Sequence, residues 1–296
     1  MGARRLFLEN GLIADMKDVL HKLYKKDGSF LALWEYGKAQ DKGRNPVFLN
    51  HGTYSNRSTL VGIVEYLVEK GCHCWVLEWP EHGASSKTDV PYDFETIGRN
   101  DFKQAIDYVL NITCCNQADI VAHSGGGICS VIFLIYHRLY REKIGRMCFL
   151  ATQSYAAVQG PISRFKIWLG KIMMLARGKS DGKFTGSPHD EKVPLMGQWF
   201  QWNLNRVFTG ENGLDFIPLM NDIKNPVLLL AGEGDTFIAP YKACKSFYDN
   251  LGGGENKIIH CGTSTGYLEN YTHGRIVLSS SARKEIYPMI GDWISR

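Results

Sequence analysis

Short apolar runs alternate with longer amphipathic stretches along the chain. Seven runs read as strands: Phe30–Tyr36, Pro46–Asn50, Cys74–Trp79, Asp119–His123, Met147–Ala151, Val227–Ala231 and Lys257–Cys261. Most are continuous apolar stretches bounded by turn residues, the pattern of strands buried on both faces. Amphipathic stretches between them predict helices over Arg57–Glu69, Asp93–Leu110, Gly125–Tyr140, Pro240–Leu251 and Ala282–Ser295. Strand alternating with helix predicts an α/β fold with a mostly parallel central sheet and right-handed crossovers. Early in the chain, two extended runs close together are also compatible with an antiparallel hairpin.

The rhythm breaks once. Residues 154–222 separate two strand candidates by roughly 70 positions, where a crossover needs only a dozen or more. This stretch is rich in aromatics: Phe165, Trp168, Phe184, Trp199, Phe200, Trp202 and Phe208. It predicts a helical cap inserted into a core made of residues 1–153 and 223–296. Within it, Phe165, Trp168, Leu169, Ile172, Met173 and Leu175 recur at helical spacing, interleaved with Lys166, Lys171, Arg177 and Lys179. Three readings compete: an ordinary amphipathic helix with its apolar side on the core, an acyl-chain pocket wall with a mobile lid, and weak attachment to an anionic lipid surface. The first is favoured.

At 296 residues, with 44% hydrophobic and 22% charged residues, the composition is globular and excludes disorder, collagen and coiled coil for the whole chain. The net charge of +4 argues against a nucleic-acid partner. Residues 161–193 carry seven Lys/Arg and three Asp/Glu, which accounts for all of that excess. The eight cysteines are scattered and predict reduced thiols used as small buried hydrophobes. The stretch MGARRLFLENGLIADM lacks the apolar core of a secretory signal, and Leu6 breaks the myristoylation pattern begun by Gly2. No apolar run approaches the ~20 residues of a membrane span. The expectation is a soluble, cytoplasmic protein. There is no H-E-x-x-H or C-x2-C spacing, and the glycine runs lack the Lys-Ser/Thr of a phosphate loop, so neither metal nor cofactor is expected.

The most informative stretch is Asp119–Ile128, DIVAHSGGGI, followed by the apolar run CSVIFLIY. A strand running into His123-Ser124-Gly125-Gly126 and then a helix fits a nucleophile elbow, whose turn lifts the Ser124 hydroxyl clear of the backbone. Small residues are needed two positions either side, and here they are Ala122 and Gly126. The Gly125 N–H, at the opening of the helix, points to where negative charge would develop.

At these residues the chain resembles the α/β-hydrolase superfamily of serine hydrolases, esterase- and lipase-like, over nearly its full length. Ala122 stands where the family usually has Gly. Four further segments are similar to the family in the family's order. Asn50-His51-Gly52-Thr53 is similar to the turn whose residue after Gly, here Thr53, supplies a second oxyanion N–H. Trp79-Pro80-Glu81-His82-Gly83-Ala84-Ser85 is similar to a structural Gly-His-Gly-x-Ser loop, with Glu81 in place of the first Gly. Asp235, after the run Val227–Gly234 and before Pro240, stands at the acid position. The histidine has two candidates, 25 and 38 residues beyond Asp235. His260 lies inside the strand-like KIIHCG, whereas His273 lies on a polar loop before the last helix and is favoured. His21 and His137 read as helix-face residues, His73 as a strand edge and His189 as a cap loop. The resemblance implies catalytic Ser124, Asp235 and His273, with oxyanion donors at Thr53 and Gly125. Tyr54, His123, Trp168, Trp199 and Trp202 are candidate substrate contacts.

The implied activity is hydrolysis of carboxylic esters with an apolar, short-to-medium acyl group through an acyl-serine intermediate. Acyl thioesterase or acyltransferase chemistry with the same three residues is the alternative. A catalytically silent hydrolase fold binding a small apolar ligand is the alternative from another class.

Overall fold

The computed structural model describes residues 18–38, 44–182 and 189–296; the amino-terminal motif assignments and Phe184 lie outside them. Among the described residues ten strands run Asp18–Tyr24 (β1), Phe30–Tyr36 (β2), Val47–Asn50 (β3), Cys74–Glu78 (β4), Ala118–His123 (β5), Ile144–Leu150 (β6), Lys179–Ser180 (β7), Glu191–Lys192 (β8), Val227–Gly232 (β9) and Lys257–Cys261 (β10). Eight form one sheet in the order β1-β2-β4-β3-β5-β6-β9-β10. From β4 to β10 every pairing is parallel; β1 with β2 and β2 with β4 are antiparallel. The sheet is mostly parallel, as the α/β pattern predicts. Strands β3, β4, β5 and β9 are buried at every position, which is why they read as largely apolar runs, polar only near their ends.

The hydrophobic pattern does not pick out β1. Of its seven residues only Leu23 is buried, because the strand lies at the sheet edge. The opening hairpin therefore pairs β1 with β2, while β3 crosses into the centre of the sheet. His21 belongs to this edge strand and not to a helix face; its ring bonds Glu35 and Tyr108.

The helices are Val61–Glu69 (α1), Phe94–Thr96 (α2), Phe102–Thr113 (α3), Gly125–Tyr136 (α4), Pro161–Arg177 (α5), Val193–Asn205 (α6), Ile217–Met220 (α7), Tyr241–Tyr248 (α8), Arg275–Leu278 (α9) and Ser280–Ile294 (α10). Helix α4 is buried from Gly125 to Ile135, so its sequence is apolar all round. A π-helical turn over Ile97–Asp101 joins α2 to α3. Helix α10 is tied to the sheet by the Trp293 indole N–H, which donates to the Met147 carbonyl at 2.9 Å. Six of the eight cysteines are buried and all eight are free thiols; Cys114 is exposed. Among the described residues no helix is long and apolar enough to cross a membrane.

The long stretch between β6 and β9 contributes α5, α6, α7 and the small antiparallel ribbon β7–β8. Helices α5 and α6 pack on each other. Helix α5 does not turn its aromatic stripe inward as expected. Ile167 and Met174 are its buried residues, whereas Phe165, Trp168, Leu169, Ile172 and Leu175 are exposed.

Candidate active site

Strand β5 ends at His123 and α4 begins at Gly125, so Ser124 alone makes the turn. It does so at φ 52° and ψ −118°, a conformation strained for any residue with a Cβ. Its N–H donates to Leu150 on β6 at 2.8 Å, and its carbonyl accepts from Thr152 Oγ1 at 3.2 Å. The strained residue is thus held from the neighbouring strand. The small neighbours are forced by contact. A Cβ on Gly126 would stand 2.8 Å from the Asn50 and His51 carbonyl oxygens, and one on Gly52 would stand 2.8 Å from Ser124 Cβ. The β3 turn and the elbow pack backbone to backbone.

Two loops bring the remaining side chains to Ser124. Asp235 follows β9, and its Oδ1 accepts the Ile238 and Ala239 N–H groups at 3.1 and 3.0 Å. Its other oxygen, Oδ2, accepts from His273 Nδ1 at 2.5 Å. A carboxylate only accepts, so the His273 proton sits on Nδ1. That leaves the Nε2 lone pair facing Ser124 Oγ at 2.9 Å. Burial alone would raise the Asp235 carboxyl pKa; the adjoining His273 and the two amides outweigh it and hold the pKa below its ordinary value. The structure brings together Ser124, Asp235 and His273. It places His260 elsewhere, on β10 with its ring against Tyr241 at 4.3 Å between centroids.

His123 buttresses this arrangement. Its ring lies 4.9 Å from that of His273, and its Nε2–H donates to the His273 carbonyl at 2.9 Å. Burial, aided by His273, pushes its pKa down from 6.5 to about 3. Because the folded pKa lies below the unfolded one, the stability it contributes is present above pH 6.5 and falls as pH drops toward 3. Between pH 7 and pH 5 this residue should cost about 2 kcal/mol of folding free energy. His123→Gln, which can keep the donor, should flatten that part of the profile. Urea unfolding at the two pH values checks this, and an unchanged pH slope in the variant would contradict it.

Thr53 lies beside the elbow: a Cβ on Gly125 would stand 3.5 Å from Thr53 Cγ2. The turn is fixed by His51, whose Nδ1–H donates to the Gly52 carbonyl at 2.7 Å while its Nε2 accepts the Trp79 N–H at 3.2 Å. Tyr54 follows in a left-handed conformation, φ 60°. Its N–H donates to Glu191 Oε1 at 2.5 Å, and its hydroxyl pairs with Ser180 at 2.6 Å. Glu191, on β8, is fully buried and also accepts from His82 Nε2 at 3.1 Å. His82 Nδ1–H donates to the Pro80 carbonyl at 2.8 Å, so both ring nitrogens face acceptors. Burial opposes a charge on His82, but the Glu191 carboxylate outweighs it and raises the pKa. Glu81, where the family pattern has Gly, takes φ 64° and pairs with Lys192 at 2.8 Å. The ribbon thus grips both loops beside Ser124.

The tryptophans divide. Trp199 is buried edge-on against Phe200. Trp202 is committed to packing: it is 1% exposed, its indole N–H donates to the Thr209 carbonyl at 2.8 Å, and its rings contact Phe94 and Phe208. Trp168 is half exposed and stacked on Phe165. Among the described residues no group of three His, Cys, Asp or Glu is placed to hold a metal ion.

A family model described as the alpha/beta hydrolase fold matches residues 45–208, more than half of the chain. The chain belongs to the α/β-hydrolase family. As an α/β hydrolase it superposes on an esterase from Exiguobacterium antarcticum with a TM-score of 0.65 at 14% identity, covering 93% of this chain and 99% of that one. A monoacylglycerol lipase from Paleococcus ferrophilus gives 0.64 at 18% identity, covering 89% and 98%. A thermophilic esterase from Thermogutta terrifontis gives 0.60 at 15%, covering 94% and 98%. At these identities the likeness is one of fold. No curated protein sequence matches the chain. Glu191 and its bond to Tyr54 escape sequence reasoning about this α/β hydrolase, since a lone Glu in a polar stretch carries no periodic signal.

Proposed function

We propose that this α/β hydrolase is a serine esterase acting on carboxylic esters through an acyl-Ser124 intermediate. One observation carries the reading: the hydrogen-bonded chain from Ser124 Oγ to His273 Nε2 and from His273 Nδ1 to Asp235 Oδ2. A hydroxyl is a poor nucleophile at neutral pH and needs a base in contact with it. On this reading Ser124 Oγ attacks the carbonyl carbon as His273 Nε2 takes its proton. The carbonyl oxygen gains charge beside the Thr53 and Gly125 amides, each worth ~2.7–4 kcal/mol if they act like measured oxyanion donors. Collapse expels the alcohol, which leaves with the proton from His273. Water then attacks the acyl-serine with His273 again as base, releasing the carboxylic acid and restoring Ser124. Asp235 stays ionised throughout and stabilises the transient imidazolium. The carboxylate fixed by two amides supports this role.

We read residues 154–222 as a cap over this site. Glu191 and Ser180 reach Tyr54 from it, and Trp199 and Phe200 give it an aromatic interior. Such a lining suits an apolar acyl group of short to medium length. The test is hydrolysis of p-nitrophenyl esters graded from acetate to palmitate, beside acyl thioesters of matched length. The expected result is a kcat/KM maximum at short or medium acyl length with esters ahead of thioesters. A thioester preference of tenfold or more would move the assignment to thioesterase chemistry, and no turnover of either class would end it.

A further inference from the structure

Helix α5 carries a face that nothing in the described chain covers. Ile162, Phe165, Trp168, Leu169, Ile172 and Leu175 are between 41% and 74% exposed, on one helix. At 3.6 residues per turn they occupy an arc of about 140°, centred opposite the inward face marked by Ile167 and Met174. The helix has no Asp or Glu over its 17 residues. Its cations border the apolar arc on both sides, Arg164 and Lys171 along one edge and Lys166 and Arg177 along the other. Phe237, 38% exposed on the loop after Asp235, extends the patch beyond the helix, with Lys166 Nζ 5.9 Å from its ring.

We propose that α5 lies in the surface of an anionic lipid bilayer, its aromatic and aliphatic arc in the acyl boundary and its flanking cations at the headgroups. A second copy of the chain would need an acidic counterpart to these cations, and α5 offers none to its own twin. An anionic membrane supplies both halves of the match, a hydrocarbon layer for the arc and negative headgroups for its borders. The long stems of Lys and Arg let their charges reach the headgroups while the helix lies flat. The proposal is independent of the chemistry assigned to Ser124.

The test is co-sedimentation with vesicles of phosphatidylcholine alone and of phosphatidylcholine with 30% phosphatidylserine, at low and high salt. The full chain should pellet with the anionic vesicles, far less with neutral ones, and less at high salt. Phe165→Glu with Ile172→Glu should reduce partitioning at least tenfold while leaving turnover of a soluble ester unchanged. Lys166→Glu with Lys171→Glu, which leaves the apolar arc intact, should reduce it by about fivefold or more per charge. Failure to pellet with anionic vesicles overturns the proposal. So does wild-type binding by either variant, or a dimer in sedimentation velocity that Phe165→Glu with Ile172→Glu dissolves.

Discussion

Ser124→Ala is expected to lower kcat for ester hydrolysis by about 10⁶-fold, the loss seen when the nucleophile of such a site is removed. The hydroxyl is the atom that His273 Nε2 faces at 2.9 Å, and removing it leaves the base with nothing to deprotonate. The fold should survive. Ser124 makes its backbone bond to Leu150 through its own N–H, which alanine keeps. Ser124→Gly is a useful second variant, because glycine adopts the positive φ of this position without Cβ strain. It should be equally inactive and unfold no more easily than the wild type. Steady-state rates and thermal melts of the two variants check this, and retained turnover in either contradicts the assignment of Ser124.

Asp235→Asn should cost about 10⁴-fold in kcat with little change in stability. The loss follows from where the imidazole proton sits. Oδ1 of Asp235 accepts two backbone N–H groups, so an asparagine must keep its carbonyl oxygen there and turn its NH₂ toward His273. A donor facing Nδ1 forces the imidazole proton onto Nε2, where it confronts Ser124 with an N–H in place of a lone pair. The side chains stay in place but the tautomer is wrong. A loss smaller than tenfold in kcat/KM would mean that His273 is not oriented by this carboxylate.

Much of this arrangement was readable before folding, for physical reasons that differ by residue. Strands β3 to β6 and β9 announced themselves because a parallel sheet covered on both faces must be apolar, whereas edge strand β10 showed only through Ile258, Ile259 and Cys261. Ser124 stood out because a strained turn demands small neighbours, and Gly126 shows why, pressed against two carbonyls of the β3 turn. Asp235 followed a buried strand, and His273 was distinguished from His260 by lying on a loop. What stayed hidden depends on partners distant in sequence. Edge strand β1 buries only Leu23. Glu191 earns its burial from Tyr54 and His82, more than a hundred positions away. The stripe on α5 was legible as a stripe, but periodicity does not say which side of a helix meets the core, and the structure turns it outward.

Covalent labelling with a fluorophosphonate, read by peptide mass mapping, tests most directly whether Ser124 is the nucleophile. One adduct per chain is expected, on the peptide containing Ser124, absent in Ser124→Ala and greatly slowed in Asp235→Asn. Labelling of Ser124→Ala at the wild-type rate, or an adduct on any other residue of the wild type, would contradict it.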